Sequence, residues 1–210
     1  MKVSREQAAA NRERIVETAA RLFREKGFDG IGVADLMKSA GMTHGGFYGH
    51  FASKDSLAAE ACARAMETSL LEWEKRVAAA SEKAASEKPG AEKTAAAALE
   101  ALVMSYLSTA HRDNPGKGCV LPALASEAGR QGGAVRRAVT IGTKSMIDRL
   151  ASLLPGRSAA ATRGKAMVAI AGMVGAIVLA RAVEDEELSA DILRSMARSI
   201  TVPHNKREAR

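Results

Sequence analysis

The sequence AGMTHGGFYGHFASKDSL, residues 40–57, is the part of the chain that decides the fold. Gly41 follows a short apolar-periodic segment and stands where a helix C-terminus needs a left-handed residue, which glycine adopts at little steric cost. Thr43 then fits the N-cap position of a second short helix, and Ser53 fits the N-cap position of a third. Two short helices joined by a glycine-containing turn are typical of a helix-turn-helix.

The aromatic residues of this stretch fall into two sets. Phe47 and Phe51 are four residues apart and share one helix face, which we expect to be buried. Tyr48 and His50 lie off that face, so they are predicted to be available to another molecule. Gly45-Gly46 permits close approach of the backbone, although each glycine costs a helix roughly 1 kcal/mol.

These residues resemble the N-terminal DNA-binding domain of the TetR/AcrR family of bacterial transcriptional regulators. The resemblance covers about residues 12–57, and its ordered matches are Phe23, Gly27-Phe28, Val33, Leu36, Ala40-Gly41, Phe47-Tyr48-x-His50-Phe51-x-Ser53-Lys54 and Leu57. The backbone contacts that it implies are Thr43, Tyr48, His50 and Lys54, and the residues that it places nearest the bases are His44 and Gly45. The other reading makes Tyr48 and His50 ordinary surface residues of a small helical bundle. Gly49 departs from the family pattern, because related sequences often carry a larger, basic side chain there.

Composition and charge indicate a polyanionic partner, and the motif content argues against an enzyme. The 31 Lys and Arg residues exceed the 24 Asp and Glu residues and give a net charge of +7, which suits a polyanionic partner. Cys62 and Cys119 have neither disulfide-framework nor metal-ligand spacing, so a reducing, cytoplasmic compartment is expected. The sequence shows no Ser/His/Asp set, metal-ligand cluster or phosphate-binding loop; we therefore expect no catalytic residue, no metal, no cofactor and no enzyme activity. A helical adaptor that binds only protein is the remaining alternative.

Hydrophobic periodicity predicts helices along the whole chain, with residues 1–11 as a polar arm and residues 113–118 as a loop. The predicted helices cover residues 12–26, 33–37, 43–50, 53–80, 91–111, 119–130, 134–154 and 162–183, with a last one capped by Ser189 and stopped at Pro203. The predicted domains are residues 1–54 and 55–210.

The segment 162–183 is apolar nearly all round and is predicted to be buried on several sides. Its longest apolar run, residues 166–180, is shorter than the roughly 20 residues that span a bilayer, so no membrane segment is expected. Gly172 and Gly175 belong to a series of small residues that allows close helix approach. The resemblance implies a dimer interface here; the alternative is a core helix within one chain.

Cys119 follows a glycine-rich loop at a predicted helix N-terminus, two residues after Lys117, and both features favour a thiolate. The resemblance extends to regulators that sense oxidants or electrophiles through a cysteine; otherwise Cys119 is a small packing residue. Cys62 lies in an apolar stripe and is predicted to be structural. The candidates for lining an apolar ligand cavity are Met66, Trp73, Met104, Tyr106, Cys119 and Met146, whose helical spacing also fits a plain core.

The resemblance therefore implies an all-α homodimer with an N-terminal three-helix helix-turn-helix domain and a C-terminal helical ligand-binding and dimerisation domain. The expected function is a repressor that binds a pseudo-palindromic, double-stranded DNA operator. A small-molecule inducer, whose identity the sequence does not give, would tilt the long helix that begins at Ser53 and misplace the DNA-binding heads.

Overall fold

The computed structural model describes residues 4–87 and 90–202, and within these ranges the protein is helical and contains no β-strand. The described helices are α1 Arg5–Lys26, α2 Val33–Ser39, α3 Lys54–Glu87, α4 Ala91–Tyr106, α5 Thr109–Asp113, α6 Val120–Ala128, α7 Gly133–Ala151, α8 Ala159–Ala182 and α9 Glu186–Thr201, with 3₁₀ turns at His44–Gly49 and Pro115–Lys117. The prediction of an all-α protein is confirmed. Pro203, at which the last helix is predicted to stop, lies outside the described residues.

Helix α1 begins earlier than predicted. Ser4 is its N-cap, and the Ser4 hydroxyl accepts a hydrogen bond from the Gln7 N–H at 3.1 Å. The prediction of a polar arm over residues 1–11 is therefore wrong from Arg5 onward, because a serine cap and good helix formers outweigh the lack of apolar residues. Gly27, with φ 79°, ends the helix where the sequence predicted.

Helix α3 continues to Glu87, beyond the predicted end near residue 80. The added turns are rich in alanine and charged residues, which favour a helix without any buried apolar stripe. A side-chain pair between Lys83 and Glu87, at 4.0 Å, lies along this exposed end.

The predicted helix over residues 91–111 is interrupted. Helix α4 ends at Tyr106, and α5 starts at Thr109. The Ser108 hydroxyl accepts a hydrogen bond from the His111 N–H at 3.2 Å, as a serine at a helix start commonly does. Periodicity alone missed the break, since the apolar spacing runs on through Leu107.

The described residues form two compact units. The first contains the described residues through Ser69 together with Asn114–Thr143, and the second contains Leu70–Asp113 and the described residues from Lys144 onward. Helices α3 and α7 therefore contribute residues to both units. The proposed functional boundary between residues 54 and 55 stays a prediction.

The core of the first unit is built on side chains from α1, α2, the 3₁₀ turn at His44–Gly49, the start of α3 and α6. Its largest fully buried side chains are Ile15, Phe23, Leu36, Met37, Phe47, Leu57 and Leu124. They place α2 and the 3₁₀ turn on α1, which leaves the outer surface of the turn exposed.

The second unit has α8 packed along α9, with α4 and α5 also against this pair. Its fully buried large side chains are Leu102, Met146, Leu150, Met173 and Ile177. Helix α9 begins after Asp185, whose carboxylate accepts N–H bonds from Glu187 and Leu188 at 2.9 and 3.0 Å. The prediction that Ser189 caps this helix is wrong: Ser189 is buried and its hydroxyl donates to the Ala180 carbonyl at 2.7 Å.

Helix α8 has 24 residues and is long and apolar enough to cross a membrane by length and composition alone, and 39% of its most apolar window is buried in the protein. One side carries buried residues such as Met173 and Ile177, and the other exposes Val168 and Leu179. Within one chain the helix is therefore buried on one side, and the predicted burial on several sides would need a partner.

Candidate DNA interface

The turn between α2 and the following 3₁₀ segment is held by backbone hydrogen bonds. Gly41 has φ 71°, its N–H donates to the Lys38 carbonyl at 3.0 Å, and the Met42 N–H donates to the Met37 carbonyl at 2.9 Å. This pair of bonds is the Schellman arrangement that a glycine after a helix permits. The predicted role of Gly41 is confirmed, and it sends the chain sharply away from α2.

The segment that was predicted to be a short helix from Thr43 is a 3₁₀ turn over His44–Gly49. Thr43 occupies the N-cap position, but its side chain makes no capping hydrogen bond. A side chain added at Gly45 would meet nothing within 4 Å, whereas one at Gly46 would approach the Met37 methyl group at 3.7 Å. Gly45 therefore leaves bare backbone on the outer surface, and Gly46 packs inward.

Two phenylalanines hold this turn on the core. Phe47 and Phe51 are 1% and 4% exposed, and their ring centroids are 5.7 Å apart. Tyr48 packs edge-on against Phe47, with 5.2 Å between ring centroids. The predicted buried face is confirmed, and it fixes which side of the turn points outward.

The outer side carries the six residues that the sequence singled out. Thr43, His44, Gly45 and Tyr48 are exposed, Tyr48 to 69%, while His50 and Lys54 are half-buried. The His44 and Tyr48 rings stand edge to face, 6.4 Å between centroids. One short stretch thus presents a phenol, an imidazole, a hydroxyl and an ammonium group, which belong to Tyr48, His44, Thr43 and Lys54. These groups can contact base edges and phosphates.

The N-terminus of α3 is closed by two serines. The Ser56 N–H donates to the Ser53 hydroxyl at 3.1 Å, and the Ser53 N–H donates to the Ser56 hydroxyl at 3.2 Å. This reciprocal pair has the geometry of a capping box, so Ser53 caps the helix as predicted. Lys54 follows in the first turn, where the helix dipole disfavours a cation unless an anion is nearby.

The arginines of α1 differ in their contacts. The Arg12 guanidinium lies over the Phe51 ring, 4.7 Å from its centroid, and also pairs with Glu60. Arg14 is exposed and makes a single long hydrogen bond of 3.4 Å to Asn11. Arg12 therefore helps to hold α1 against Phe51 and the start of α3.

A second set of contacts joins α1 to the segment around α6, all within the first unit. The Arg24 guanidinium donates from Nη1 to the Gly118 carbonyl at 2.6 Å and from Nε to the Ala20 carbonyl at 2.8 Å. At the other end of α6, the Glu127 carboxylate accepts the Phe28 N–H at 2.9 Å. Sequence reasoning missed both links, because neither partner lies in a motif and each pair is more than 90 residues apart in the chain.

Cys119 is the N-cap residue of α6 and is 4% exposed. The predicted helix start is confirmed, but the thiol lies inside the unit rather than on an open loop. Cys62 is also buried, and neither cysteine is part of a disulfide. Burial lowers the pKa of the Arg24 guanidinium, and Coulombic interactions with Cys119, Cys62 and Glu25 raise it in part.

Burial raises the pKa of the Cys62 thiol to about 12, and Arg24 only partly offsets this effect. A thiol with such a pKa stays protonated at neutral pH and is a poor nucleophile. The structural role predicted for Cys62 fits this environment.

The six candidate ligand-binding residues are divided between the two units. Met66 and Cys119 belong to the first unit, whereas Trp73, Tyr106 and Met146 belong to the second and are buried there. Trp73 and Tyr106 stack edge-on, 5.9 Å between centroids, as a packed core pair does. Met104 is 52% exposed within the single chain, whereas its neighbour Val103 is fully buried, and its role in a ligand site stays a prediction.

The small residues of α8 point in different directions. A Cβ atom on Gly172 would lie 2.6 Å from the Met196 methyl carbon, so this glycine lets α9 approach within the same chain. A Cβ atom on Gly175 would meet nothing within 4 Å. Gly175 belongs to the exposed apolar face of α8, whose other members are Met167, Val168, Ala171, Val178 and Leu179.

Comparison with known proteins gives matches along most of the chain. One family model, described as bacterial regulatory proteins of the tetR family, matches residues 15–61. A second, described as the C-terminal domain of tetracyclin repressor-like proteins, matches residues 95–196. The first match contains the 3₁₀ turn and the start of α3.

Two curated proteins are similar over short stretches. The uncharacterised HTH-type transcriptional regulator YerO of Bacillus subtilis is 41% identical over 51 residues, which is 24% of this chain and 18% of YerO. The HTH-type transcriptional repressor Rv1474c of Mycobacterium tuberculosis is 41% identical over 56 residues, 27% of this chain and 30% of that protein. The matches thus span less than a third of either relative.

Solved structures show the same fold over nearly the whole chain. The reduced form of E. coli NemR superposes with a TM-score of 0.69 and covers 91% of this chain and 97% of its own. The sequences are 19% identical, so this likeness shows the fold alone.

Proposed function

The chain belongs to the tetR family of bacterial regulatory proteins, and from that premise we propose that it is a DNA-binding transcriptional repressor of the bacterial cytoplasm. The observation that carries the proposal is the outer side of residues 43–54, exposed over a phenylalanine pair that fixes its orientation. The relative Rv1474c is named a transcriptional repressor, which supports repression rather than activation.

In this proposal His44 and the bare backbone at Gly45 approach base edges in the major groove. The phosphate contacts come from the Thr43 hydroxyl, Tyr48, His50 and Lys54. Gly45 is suited to this position because it has no side chain to keep a base edge away from its exposed backbone. A phosphate near Lys54 would also receive the backbone N–H groups that begin α3.

Binding is proposed to be dimeric, through the exposed apolar face of α8. An apolar stripe of this kind is rarely left in water on a soluble domain, and a two-fold partner would cover it with its own copy. Two DNA-binding heads would then engage half-sites about 34 Å apart, one turn of DNA, within a pseudo-palindromic operator.

Regulation is proposed to come from a small molecule bound outside the DNA-binding head, which must favour the conformation that does not bind DNA. Arg24 contacts Gly118, and Glu127 contacts Phe28, so α6 is linked to α1 at both of its ends. A shift of α6 would therefore move α1 and the 3₁₀ turn that packs on the same core. The buried candidates Met66, Trp73, Tyr106, Cys119 and Met146 remain proposals for this role.

Cys119 is proposed as an electrophile-sensitive point within that coupling. The thiol adjoins Gly118, whose carbonyl accepts from Arg24, and shares the Arg24 environment. Addition of the thiol to a quinone forms an S–C bond and leaves the thiol proton on the reduced ring. The added bulk would separate α6 from α1. Cys119→Ser should then resist operator release by a quinone, with Cys62→Ser as the matched control; equal release from Cys119→Ser and wild type would leave Cys119 a packing residue.

The experiment that tests the function is selection of bound fragments from a random double-stranded DNA pool by the purified protein, followed by sequencing. We expect enrichment of a pseudo-palindrome whose half-sites are about 10 base pairs apart, centre to centre. A changed enriched sequence with His44→Ala, whose side chain is exposed so that the variant should fold normally, would tie the selection to the 3₁₀ turn. A wild-type pool with no enriched sequence would contradict the proposal.

A further inference from the structure

The positive charge of the first unit comes from its second segment, residues 114–143, and not from the segment that contains the helix-turn-helix. Residues 4–69 contain nine Lys or Arg residues and nine Asp or Glu residues, so their side-chain charges cancel. Residues 114–143 contain four Lys or Arg residues and one Glu residue, which gives a charge of +3. Because attraction to phosphates supplies much of a protein's affinity for DNA, a neutral helix-turn-helix segment depends on cations from elsewhere in the unit.

Three of those four cations flank the start of α7: Arg130, Arg136 and Arg137. Each of them is exposed, and none forms an ion pair with another described residue. Arg136 and Arg137 border an open cleft of about 500 Å³ on the exposed side of α7, whose other lining residues are Gly133, Thr140 and Ile141. This side of α7 is therefore basic and accessible.

Gly132 places the start of α7 beside the start of α3. A Cβ atom on Gly132 would lie 3.9 Å from an Asp55 carboxylate oxygen, and Asp55 directly follows Lys54. The Arg137 side chain folds back toward the same end of α7, since a Cβ atom on Gly133 would lie 3.1 Å from the Arg137 Nη1. The arginines thus lie next to the end of the candidate DNA interface, residues 43–54, in the same compact unit.

The stability of α7 does not explain these arginines. A positive charge near the N-terminus of a helix opposes the helix dipole, and α7 has no acidic residue in its first turn to compensate. Glu127, the one carboxylate of residues 114–143, accepts the Phe28 N–H at 2.9 Å instead. An anion outside the chain would relieve this repulsion. The surface of an acidic protein could supply that charge, but the position next to residues 43–54 favours DNA.

We propose that Arg130, Arg136 and Arg137 contact the phosphate backbone of the same DNA duplex that residues 43–54 bind. The inference rests on the proposed function and adds to it a second contact outside the helix-turn-helix. Phosphate contacts position a protein on DNA without reading its sequence. The arginines therefore raise the affinity for every duplex by the same factor and leave the preference for the operator unchanged.

The test titrates two labelled duplexes of equal length, the selected operator and a scrambled sequence, with the full chain at about 50 to 200 mM salt. Fluorescence anisotropy gives the affinity. One variant carries Arg136→Ala and Arg137→Ala, and its matched control carries Lys93→Ala and Arg157→Ala, two exposed cations of the second unit. Both variants lose two positive charges, so a difference between them reports the position of the charges and not the net charge.

We expect the slope of log affinity against log salt to fall by about 1.8 units in the Arg136→Ala, Arg137→Ala variant, on both duplexes. The affinity advantage of wild type over this variant should therefore shrink about tenfold between about 50 and 200 mM salt. Arg130→Ala should lower the slope by about 0.9 units. The ratio of operator affinity to scrambled affinity should stay at the wild-type value in both.

Two results would overturn this inference while leaving the proposed function intact. If wild type prefers the operator but the double arginine variant has the wild-type slope, the arginines do not contact DNA and an acidic protein partner becomes the alternative. If the control variant loses as much slope as the arginine variant, net charge alone accounts for the effect. A wild-type protein that binds neither duplex would contradict the proposed function itself, and this inference with it.

Discussion

The substitution Gly175→Leu tests whether the exposed face of α8 packs against a second chain, because it should leave the packing within one chain intact. Gly175 lies in the middle of the exposed apolar face of α8, seven residues after Val168 and four before Leu179, and a Cβ atom there meets nothing within 4 Å. Gly172, one helical turn away, faces the Met196 side chain of α9 in the same chain. The two glycines therefore form a matched pair for the same substitution.

The expected changes have opposite signs. Gly175→Leu removes a glycine from a helix without a clash, so the single chain should gain about 0.8 kcal/mol of stability. In the proposed dimer the same leucine is present twice, and overpacking of about 1–3 kcal/mol each would raise the dimer dissociation constant by roughly 30-fold to 10⁴-fold. Gly172→Leu should instead lower the free energy of unfolding, by about 1–3 kcal/mol less any gain in helix propensity, because its first added carbon already lies 2.6 Å from Met196.

Sedimentation equilibrium gives the dissociation constant, and urea unfolding, followed by circular dichroism at concentrations where the variant is monomeric, gives the stability of the chain. Gly175→Leu is expected to dissociate while remaining at least as stable as the wild-type monomer. A Gly175→Leu protein with the wild-type dissociation constant would show that the α8 face is not the dimer contact. Equal loss of stability in both variants would show that the two glycines do not differ as the structure indicates.

Three further outcomes are expected. Lys54→Ala should flatten the dependence of log affinity on log salt by about one unit, and Tyr48→Ala should weaken all DNA sequences alike; unchanged binding in both would contradict the phosphate roles. The pKa of the Cys62 thiol is raised from 9.0 to about 12 in the folded protein, so folding favours the protonated thiol. The free energy of unfolding should therefore be unaffected by this thiol below about pH 9 and should fall as the pH rises from 9 toward 12. Between pH 9 and 12 the free energy of unfolding of Cys62→Ala should thus fall less than that of wild type. The same dependence on pH in both proteins would show that the pKa of Cys62 is not raised. Glu127→Ala leaves the Phe28 N–H without its carboxylate and should cost about 1.5–3 kcal/mol of stability by urea unfolding, whereas Glu127→Gln, which can still accept, should cost less.

Local chemistry made the DNA-binding head predictable from the sequence. Gly41 had to be left-handed for the turn to form, and the spacing of Phe47 and Phe51 identified the buried side before the structure did. Both depend on neighbours within a few residues, where geometry follows from residue type. Even so, the turn is 3₁₀ rather than α-helical, because Gly45 and Gly46 weaken an α-helix that has no capping side chain.

Features that depend on distant partners were not predictable. The Arg24 and Glu127 contacts join residues that are 94 and 99 positions from their partners, and no periodicity encodes them. Serine is a common N-cap residue, but Ser189 does not cap α9, because Asp185 caps the helix one turn earlier. The Ser189 hydroxyl is instead buried and donates to the Ala180 carbonyl.

The central claim is that the exposed side of residues 43–54 binds DNA. Its most direct measurement is fluorescence anisotropy of the selected operator, titrated with wild type and with a double variant carrying His44→Ala and Tyr48→Ala. Both side chains are exposed, so the head should remain folded. We expect the double variant to bind the operator no more tightly than a scrambled duplex of the same length. A double variant that keeps the wild-type preference for the operator would contradict it.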